Sequence, residues 1–152
     1  MLTGWLQDQP RVFALDRRPD LTCPGRFLSM PDGPTTIAQP GMGPPYAGKV
    51  LLLVNEHTQS NGEYATMALR TTPCALVVGS QTAGTDGNVT EFTLPGGVAT
   101  QITTLGEYYP DGRETQRVGI TPDVEVRPTV EGLRQGRDEV LEKAIQLIEP
   151  SP

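Results

Sequence analysis

Two short apolar runs with no polar alternation constrain the fold of this chain most strongly. They are residues 50–54, VLLLV, and residues 75–78, ALVV. Such runs are typical of parallel strands that are covered on both faces. Between them, residues 60–70 have the pattern of a helix, which Pro73 ends. The sequence therefore predicts a βαβ crossover, the repeating unit of α/β folds.

Length and charge exclude several function classes. The 152 residues suffice for one domain, and the net charge of -6 comes without any basic cluster. We therefore expect no nucleic-acid partner and no anionic membrane partner. No apolar run approaches the roughly 18 residues of a membrane span, and the N-terminus lacks a signal-peptide pattern. These features predict a cytoplasmic protein, or a piece of a longer chain that is exported if its parent carries the signal.

The cysteines and the single histidine give no metal-binding pattern. Cys23 and Cys74 are far apart in the sequence, and Cys74 opens a predicted buried strand. Two free thiols are therefore favoured over a disulfide. Because His57 is the only histidine, we expect no zinc site.

Residues 1–46 differ in character from the rest of the chain. They hold eight of the fifteen prolines and show no sustained period of 2 or 3.6 residues. The pattern predicts an extended arm, with residues 37–45 as a linker. So long a structureless stretch is uncommon inside a compact domain, which suggests a fragment or an arm that packs on a partner. Residues 47–148 would form the core, and residues 149–152 a tail.

The second half of the chain predicts hairpins and a closing helix. A polar glycine loop, residues 81–88, follows the second buried strand, and residues 89–94 and 98–105 alternate around a Pro-Gly-Gly turn. This is the pattern of a β-hairpin. A second hairpin is expected from residues 107–109 and 113–118, followed by a short edge-like strand at 124–127. Residues 137–148 have an amphipathic helical pattern.

Ser60 can be interpreted in two ways. Ser60 and Glu63 form the Ser-x-x-Glu pattern of a capping box, which would give the serine a purely structural role. A serine at a strand-to-helix turn can also act as a nucleophile. The N–H of Asn61 and the helix dipole would then face the developing oxyanion, and Gly62 would allow close approach of a substrate.

A nucleophilic serine needs a base, and the local candidates are few. His57 could supply one, but a histidine three residues before the serine is also expected as a polar turn residue. Glu63 could orient a base, hold a water or hold the substrate amine, or it could be only a cap. Thr85 and Asp86 should lie at the same sheet edge as Ser60, because adjacent parallel strands end together. The alternative for that loop is a plain polar turn.

Four ordered blocks resemble the C-terminal part of the S41 serine peptidases, the tail-specific (C-terminal processing) and tricorn-core proteases. They are the V-N-x-x-T-x-S-x-x-E turn, the V-G-x-x-T-x-G loop, the Y-x-P-D-G turn and G-I-x-P-D, within roughly residues 46–148. The resemblance implies an α/β fold with a ClpP/crotonase-like core, here as a partial domain. It also implies Ser60 as nucleophile, Glu63 as the acidic residue one turn later, Asn61 as an oxyanion donor, and Gly84, Thr85 and Asp86 as substrate-loop candidates.

The departures from the family pattern concern the base. Tail-specific proteases carry a lysine in the loop, T-x-G-K-G, whereas this loop reads Thr82-Ala83-Gly84-Thr85-Asp86-Gly87. The sequence is closer to the tricorn-like branch, which uses a histidine from well upstream, and residues 1–46 contain none. The segment that gives the second oxyanion donor, a D-L-R-x-N block, is absent too. The resemblance thus implies a peptidase acting near the C-termini of peptides or proteins, weakly active or inactive as this chain alone.

Three further expectations follow from this interpretation. The resemblance implies no cofactor and no metal. The partner would be a peptide or protein substrate, with a homo-oligomer or a missing N-terminal part of the same protease as possible additions. Two other functions are consistent with the fold: a non-catalytic ligand- or protein-binding module, and a crotonase-like acyl-CoA enzyme, although no CoA site is recognisable.

Overall fold

The computed structural model describes residues 2–30 and 36–148, which form a mixed α/β fold. The predicted tail, residues 149–152, lies outside the described residues. The elements in chain order are α1 (Thr3–Leu6), β1 (Arg11–Pro19), β2 (Phe27–Ser29), β3 (Thr36–Ala38), β4 (Val50–Val54), α2 (Asn61–Arg70), β5 (Ala75–Gly79), β6 (Val89–Leu94), β7 (Val98–Thr103), β8 (Gly106–Tyr108), β9 (Val124–Glu125), α3 (Val130–Arg134) and α4 (Glu139–Ile148). None of the described helices is long and apolar enough to cross a membrane.

The predicted βαβ unit is present and forms a parallel sheet. β4 and β5 pair in parallel along their full lengths, α2 crosses between them, and β9 adds in parallel to β5. The aspartate of the G-I-x-P-D block fixes this edge: the N–H of Asp123 donates to the Val77 carbonyl at 2.8 Å, and its Oδ2 accepts from the Val77 N–H at 2.8 Å. This block therefore has a structural function.

Full burial of β4 was a wrong prediction. Leu53 in this strand is 44 % exposed, and β4 has a single strand partner within the described part of the chain. The accessible surface is 9964 Å², whereas a compact monomer of this mass exposes roughly 7,500 Å². Surplus surface of this kind is what the expected partial domain would show.

The described part of segment 1–46, residues 2–30 and 36–46, is not the structureless arm that its prolines suggested. β1 is the central strand of an antiparallel sheet and pairs with β2, β3 and β8. Phe13, Ala14 and Ala38 are buried in the core, and the Phe13 ring meets Tyr64 of α2 edge to face at 5.0 Å. α2 is thus in contact with both sheets.

The later elements follow the sequence pattern more closely. β6 and β7 form the predicted hairpin in unbroken register, whereas the second hairpin is reduced to one bridge between Tyr108 and Glu114. The amphipathic helix is α4, although its Leu141 and Ile145 remain almost half exposed. Both cysteines are free thiols, as predicted, but Cys74 is exposed rather than buried.

Candidate functional site

Ser60 lies at the turn between β4 and α2 in a strained backbone conformation. Its φ of 48° and ψ of −119° are rare for a residue with a Cβ. The turn is fixed from both sides: the N–H of Thr58 donates to the Asn55 carbonyl at 2.9 Å, and the Thr58 carbonyl accepts from Ala83 at 3.0 Å. Strain at an exposed serine of a strand-to-helix turn is the geometry of a nucleophile elbow.

The start of α2 is bonded through the backbone of Ser60 as well as through its side chain. Ser60 and Glu63 form the capping box that the sequence predicted: the Ser60 side chain accepts from the Glu63 backbone, and the N–H of Ser60 donates to Glu63 Oε2 at 3.1 Å. The backbone carbonyl of Ser60 also accepts from the N–H groups of Glu63 and Tyr64, at 2.8 and 3.0 Å. The N–H of Asn61 has no acceptor among the described residues. An unused N–H at a helix N-terminus is suited to an oxyanion.

Glu63 fastens α2 to the glycine loop. The side chain is completely buried. Its Oε1 accepts from the Thr82 hydroxyl and from the Gly84 N–H at 2.8 Å, while Oε2 also accepts from the Thr85 N–H at 2.8 Å. With both oxygens engaged in this way, Glu63 is placed to position the serine and the loop rather than to transfer a proton.

The glycine loop adopts backbone conformations that require its glycines. Gly84 has φ +70° and Gly87 has φ +117°, and a Cβ on Gly87 would lie 2.3 Å from the Gln116 amide nitrogen. That amide instead donates to the carbonyls of Asp86 and Leu105, at 2.9 and 2.8 Å. The loop is therefore held closely beside the neighbouring segments.

Ser60 opens into a cleft of about 260 Å³, which we call the Ser60 cleft. Its lining residues are Asp16, Ser60, Asn61, Tyr64, Asp86, Gly87, Asn88, Leu105 and Glu107. Of the predicted loop residues, Asp86 lines this cleft, whereas Gly84 and Thr85 contact Glu63 instead. The cleft is thus formed by four segments that are far apart in the sequence.

His57 lies outside this cleft. Its side chain is 86 % exposed, and its Nε2 lies 4.0 Å from Glu56 Oε1. This position fits the polar turn residue, which was the alternative to a role as base. Among the described residues, the lining of the Ser60 cleft includes no histidine, lysine or arginine.

Sequence reasoning missed two acidic residues of the cleft, Asp16 and Glu107. Burial is the main cause that raises the pKa of Glu107 to about 8, aided by a hydrogen bond with Asp16 and by the charges of Asp16 and Asp86. Burial likewise raises the pKa of Asp86 to about 6, with smaller contributions from Glu63 and Asp16. The sequence does show a carboxylate in each of two strand segments, Asp16 in LDR and Glu107 in GEY. However, no local pattern indicates that these two segments lie side by side.

The fold and the site define an α/β protein with an exposed serine at a strand-to-helix turn. Residues 9–126 match the profile of Peptidase family S41, and the chain belongs to that family. The match begins at residue 9 and ends at residue 126, so it includes most of the Pro-rich segment 1–46, which the resemblance from sequence did not cover, and it ends before α3 and α4. The search of curated proteins found no match.

Solved structures support the same fold at low sequence identity. A predicted peptidase of Parabacteroides merdae is 21 % identical with a TM-score of 0.87, over 99 % of this chain and 47 % of that one. Mature CPAF complexed with lactacystin is 17 % identical with a TM-score of 0.79, over 97 % and 40 %. The photosystem II D1 C-terminal processing protease is 22 % identical with a TM-score of 0.60, over 99 % and 34 %. This chain spans less than half the length of each.

No group of described residues has the arrangement of a metal site.

Proposed function

We propose that this chain carries the nucleophile half of a serine-peptidase site, with Ser60 as the nucleophile. The observation that carries the proposal is the conformation of Ser60, which is strained, exposed and open to a cleft. Membership of Peptidase family S41 supports a hydrolase of the serine-peptidase type. Cleavage near the C-terminus of a peptide is the finer proposal, and it rests on the resemblance to tail-specific and tricorn-core proteases.

The proposed reaction is acyl transfer through an ester on Ser60. The hydroxyl oxygen attacks the peptide carbonyl carbon while its proton passes to a general base, and the Asn61 N–H donates to the oxyanion. Collapse of the tetrahedral intermediate releases the amine, and water then hydrolyses the ester. No lysine or histidine lines the cleft among the described residues, so a base of the kind that the family pattern uses has to come from outside this lining. Weak activity or none is therefore expected of this chain alone.

A fluorophosphonate probe tests the nucleophile directly. We expect labelling at Ser60, located by mass spectrometry of the digested protein, and complete loss of this labelling in Ser60→Ala. Ser29→Ala is the matched control, since Ser29 is an exposed serine on β2 that does not belong to the cleft lining. Added imidazole should accelerate labelling, because it can act as the base that a lysine or histidine supplies in this family and that the cleft lining lacks among the described residues.

The alternative is a non-catalytic ligand- or protein-binding module on the same fold. The missing base favours it, and the acidic cleft would then bind a ligand without turnover. Failure of Ser60 to label, even at high imidazole concentration and in a folded protein, would select this alternative.

A further inference from the structure

Three carboxylates surround the space into which Ser60 opens. Asp16 comes from β1, Asp86 from the glycine loop and Glu107 from β8, and all three line the Ser60 cleft. The cleft lining contains no cationic side chain among the described residues. The acidic residues therefore meet in three dimensions without a compensating positive charge in the cleft lining.

Two of these carboxylates are buried and incompletely bonded. Asp86 and Glu107 are each only 5 % exposed, and neither Asp86 Oδ2 nor Glu107 Oε2 has a hydrogen-bond partner among residues 2–30 and 36–148. By contrast, Asp86 Oδ1 accepts from the Gly87 N–H at 2.9 Å. A buried carboxylate oxygen without a partner is costly, so such groups are normally found paired with a cation or a proton. Asp86 and Glu107 therefore each have one carboxylate oxygen that lacks a partner in the described part of the chain.

Protonation and a metal ion are the two simplest partners, and neither is sufficient. Glu107 can hold a proton near neutral pH, and it shares a hydrogen bond with Asp16. Asp86 is half ionised at about pH 6, so the cleft remains negative at neutral pH. No group of described residues has a metal-site arrangement. An organic cation is the remaining partner of suitable charge.

The size and walls of the cleft suit one amino-acid side chain. A volume of about 260 Å³ lies below the 300–1,000 Å³ usual for pockets that hold whole small molecules. Tyr64 and Leu105 also line it and provide apolar surface. Lysine and arginine place an aliphatic stem along apolar surface and a charged group at its end.

We propose that the Ser60 cleft is a specificity pocket, which receives the lysine or arginine side chain of a peptide whose scissile bond lies at Ser60. The proposal rests on the proposed peptidase function, because it places the pocket beside the nucleophile. The cationic group would pair with Asp86 and Glu107, giving the charge-assisted hydrogen bonds that their unpartnered oxygens lack. The substrate class is then a peptide or protein with a basic residue next to the cleaved bond.

A matched pair of peptides tests the pocket without requiring turnover. One N-acetylated, C-amidated hexapeptide contains a single lysine among alanines, and the other replaces this lysine by norleucine, which keeps the stem and removes the charge. Isothermal titration calorimetry with the 152-residue chain should show roughly tenfold tighter binding of the lysine peptide. The preference should disappear in Asp86→Asn and in Glu107→Gln, and circular dichroism would establish that both variants are folded.

Glu91→Gln is the charge-matched control, because this substitution removes the same charge from an exposed residue of β6 that does not belong to the cleft lining. It should retain the lysine preference. Equal binding of both peptides to the wild-type chain, or an undiminished lysine preference in both folded cleft variants, would overturn the pocket. If both peptides bind equally, the cation that pairs with Asp86 and Glu107 would have to come from another polypeptide segment and not from a substrate.

Peptidyl diphenyl phosphonates separate this proposal from the peptidase proposal. Lysine- and norleucine-containing versions are compared for covalent attachment to Ser60, where the serine oxygen bonds to phosphorus and phenol leaves. Faster attachment of the lysine version supports both proposals. Equal attachment of both versions overturns the pocket and leaves the nucleophile standing. A lysine preference in calorimetry without any attachment, even at high imidazole concentration, supports the pocket and contradicts the peptidase function.

Discussion

Replacement of Glu63 by alanine is expected to lower the free energy of unfolding by about 4 kcal/mol. The carboxylate is fully buried and accepts hydrogen bonds from Ser60, Gly84 and Thr85 N–H groups, and from the Thr82 hydroxyl. Without it, these donors lose their acceptor inside the protein. Urea unfolding followed by circular dichroism measures the loss.

Two variants show whether this cost is specific to Glu63. Glu91→Ala removes an exposed glutamate and should change the unfolding free energy by less than about 0.5 kcal/mol. Glu63→Gln keeps one acceptor oxygen but presents an NH₂ group to donors, so its cost should be about half that of alanine. A Glu63→Ala protein as stable as the wild type would contradict the role of Glu63 as a structural clamp.

Stability is expected to fall as the pH rises from about 4.5 to about 8, and Glu107 is the main cause. Its pKa is raised from 4.5 to about 8 in the folded protein, so the folded state binds this proton more tightly than the unfolded state does. The stabilisation that this proton binding by Glu107 provides is fully present below pH 4.5, and it is lost as the pH passes through 8. After allowance for solvent screening, we expect a loss of about 3 kcal/mol over this range.

The Glu107→Gln variant should remove most of this slope. In this variant Asp86 should still cause a smaller decrease in stability with rising pH, between pH 3.8 and about 6. Carboxylates with lowered pKa values, such as Asp20 and Asp111, act with the opposite sign but below about pH 4, outside the window. Thermal unfolding of both proteins in steps of one pH unit measures the effect. A wild-type melting temperature that is constant or increasing between pH 5 and 8 would refute it.

Sequence reasoning succeeded where structure is determined locally. The apolar runs of β4 and β5, the helical pattern of α2 and the Pro-Gly-Gly turn of the β6–β7 hairpin each lie within a few residues. The juxtaposition of Ser60 with the glycine loop followed from one general rule, that neighbouring parallel strands end at the same edge. The roles of Ser60, Asn61 and Asp86 in catalysis or binding stay predictions.

The failures involve partners that are distant in the sequence. β1 is a strand because β3 and β8 pair with it, and β8 lies about ninety residues away. Pro10 and Pro19 border this strand instead of interrupting it, and strand ends tolerate proline. The meeting of Asp16 with Glu107 depends on that same pairing, in which they lie in register opposite each other. Neither the composition nor the hydrophobic periodicity of the sequence could have predicted the pairing of Asp16 with Glu107.

The hydroxyl of Thr82 gives the site a thermodynamic property beyond its geometry. It donates to Glu63 and accepts from the Ile120 N–H at 2.7 Å, so it joins the serine helix, the glycine loop and the G-I-x-P-D block. Groups in one such network are energetically coupled. The stability costs of losing Glu63 and Thr82 should therefore overlap rather than add, because either loss already disconnects the same three segments. Three separate sequence blocks thus behave as one cooperative unit, and its integrity keeps Ser60 in its strained conformation.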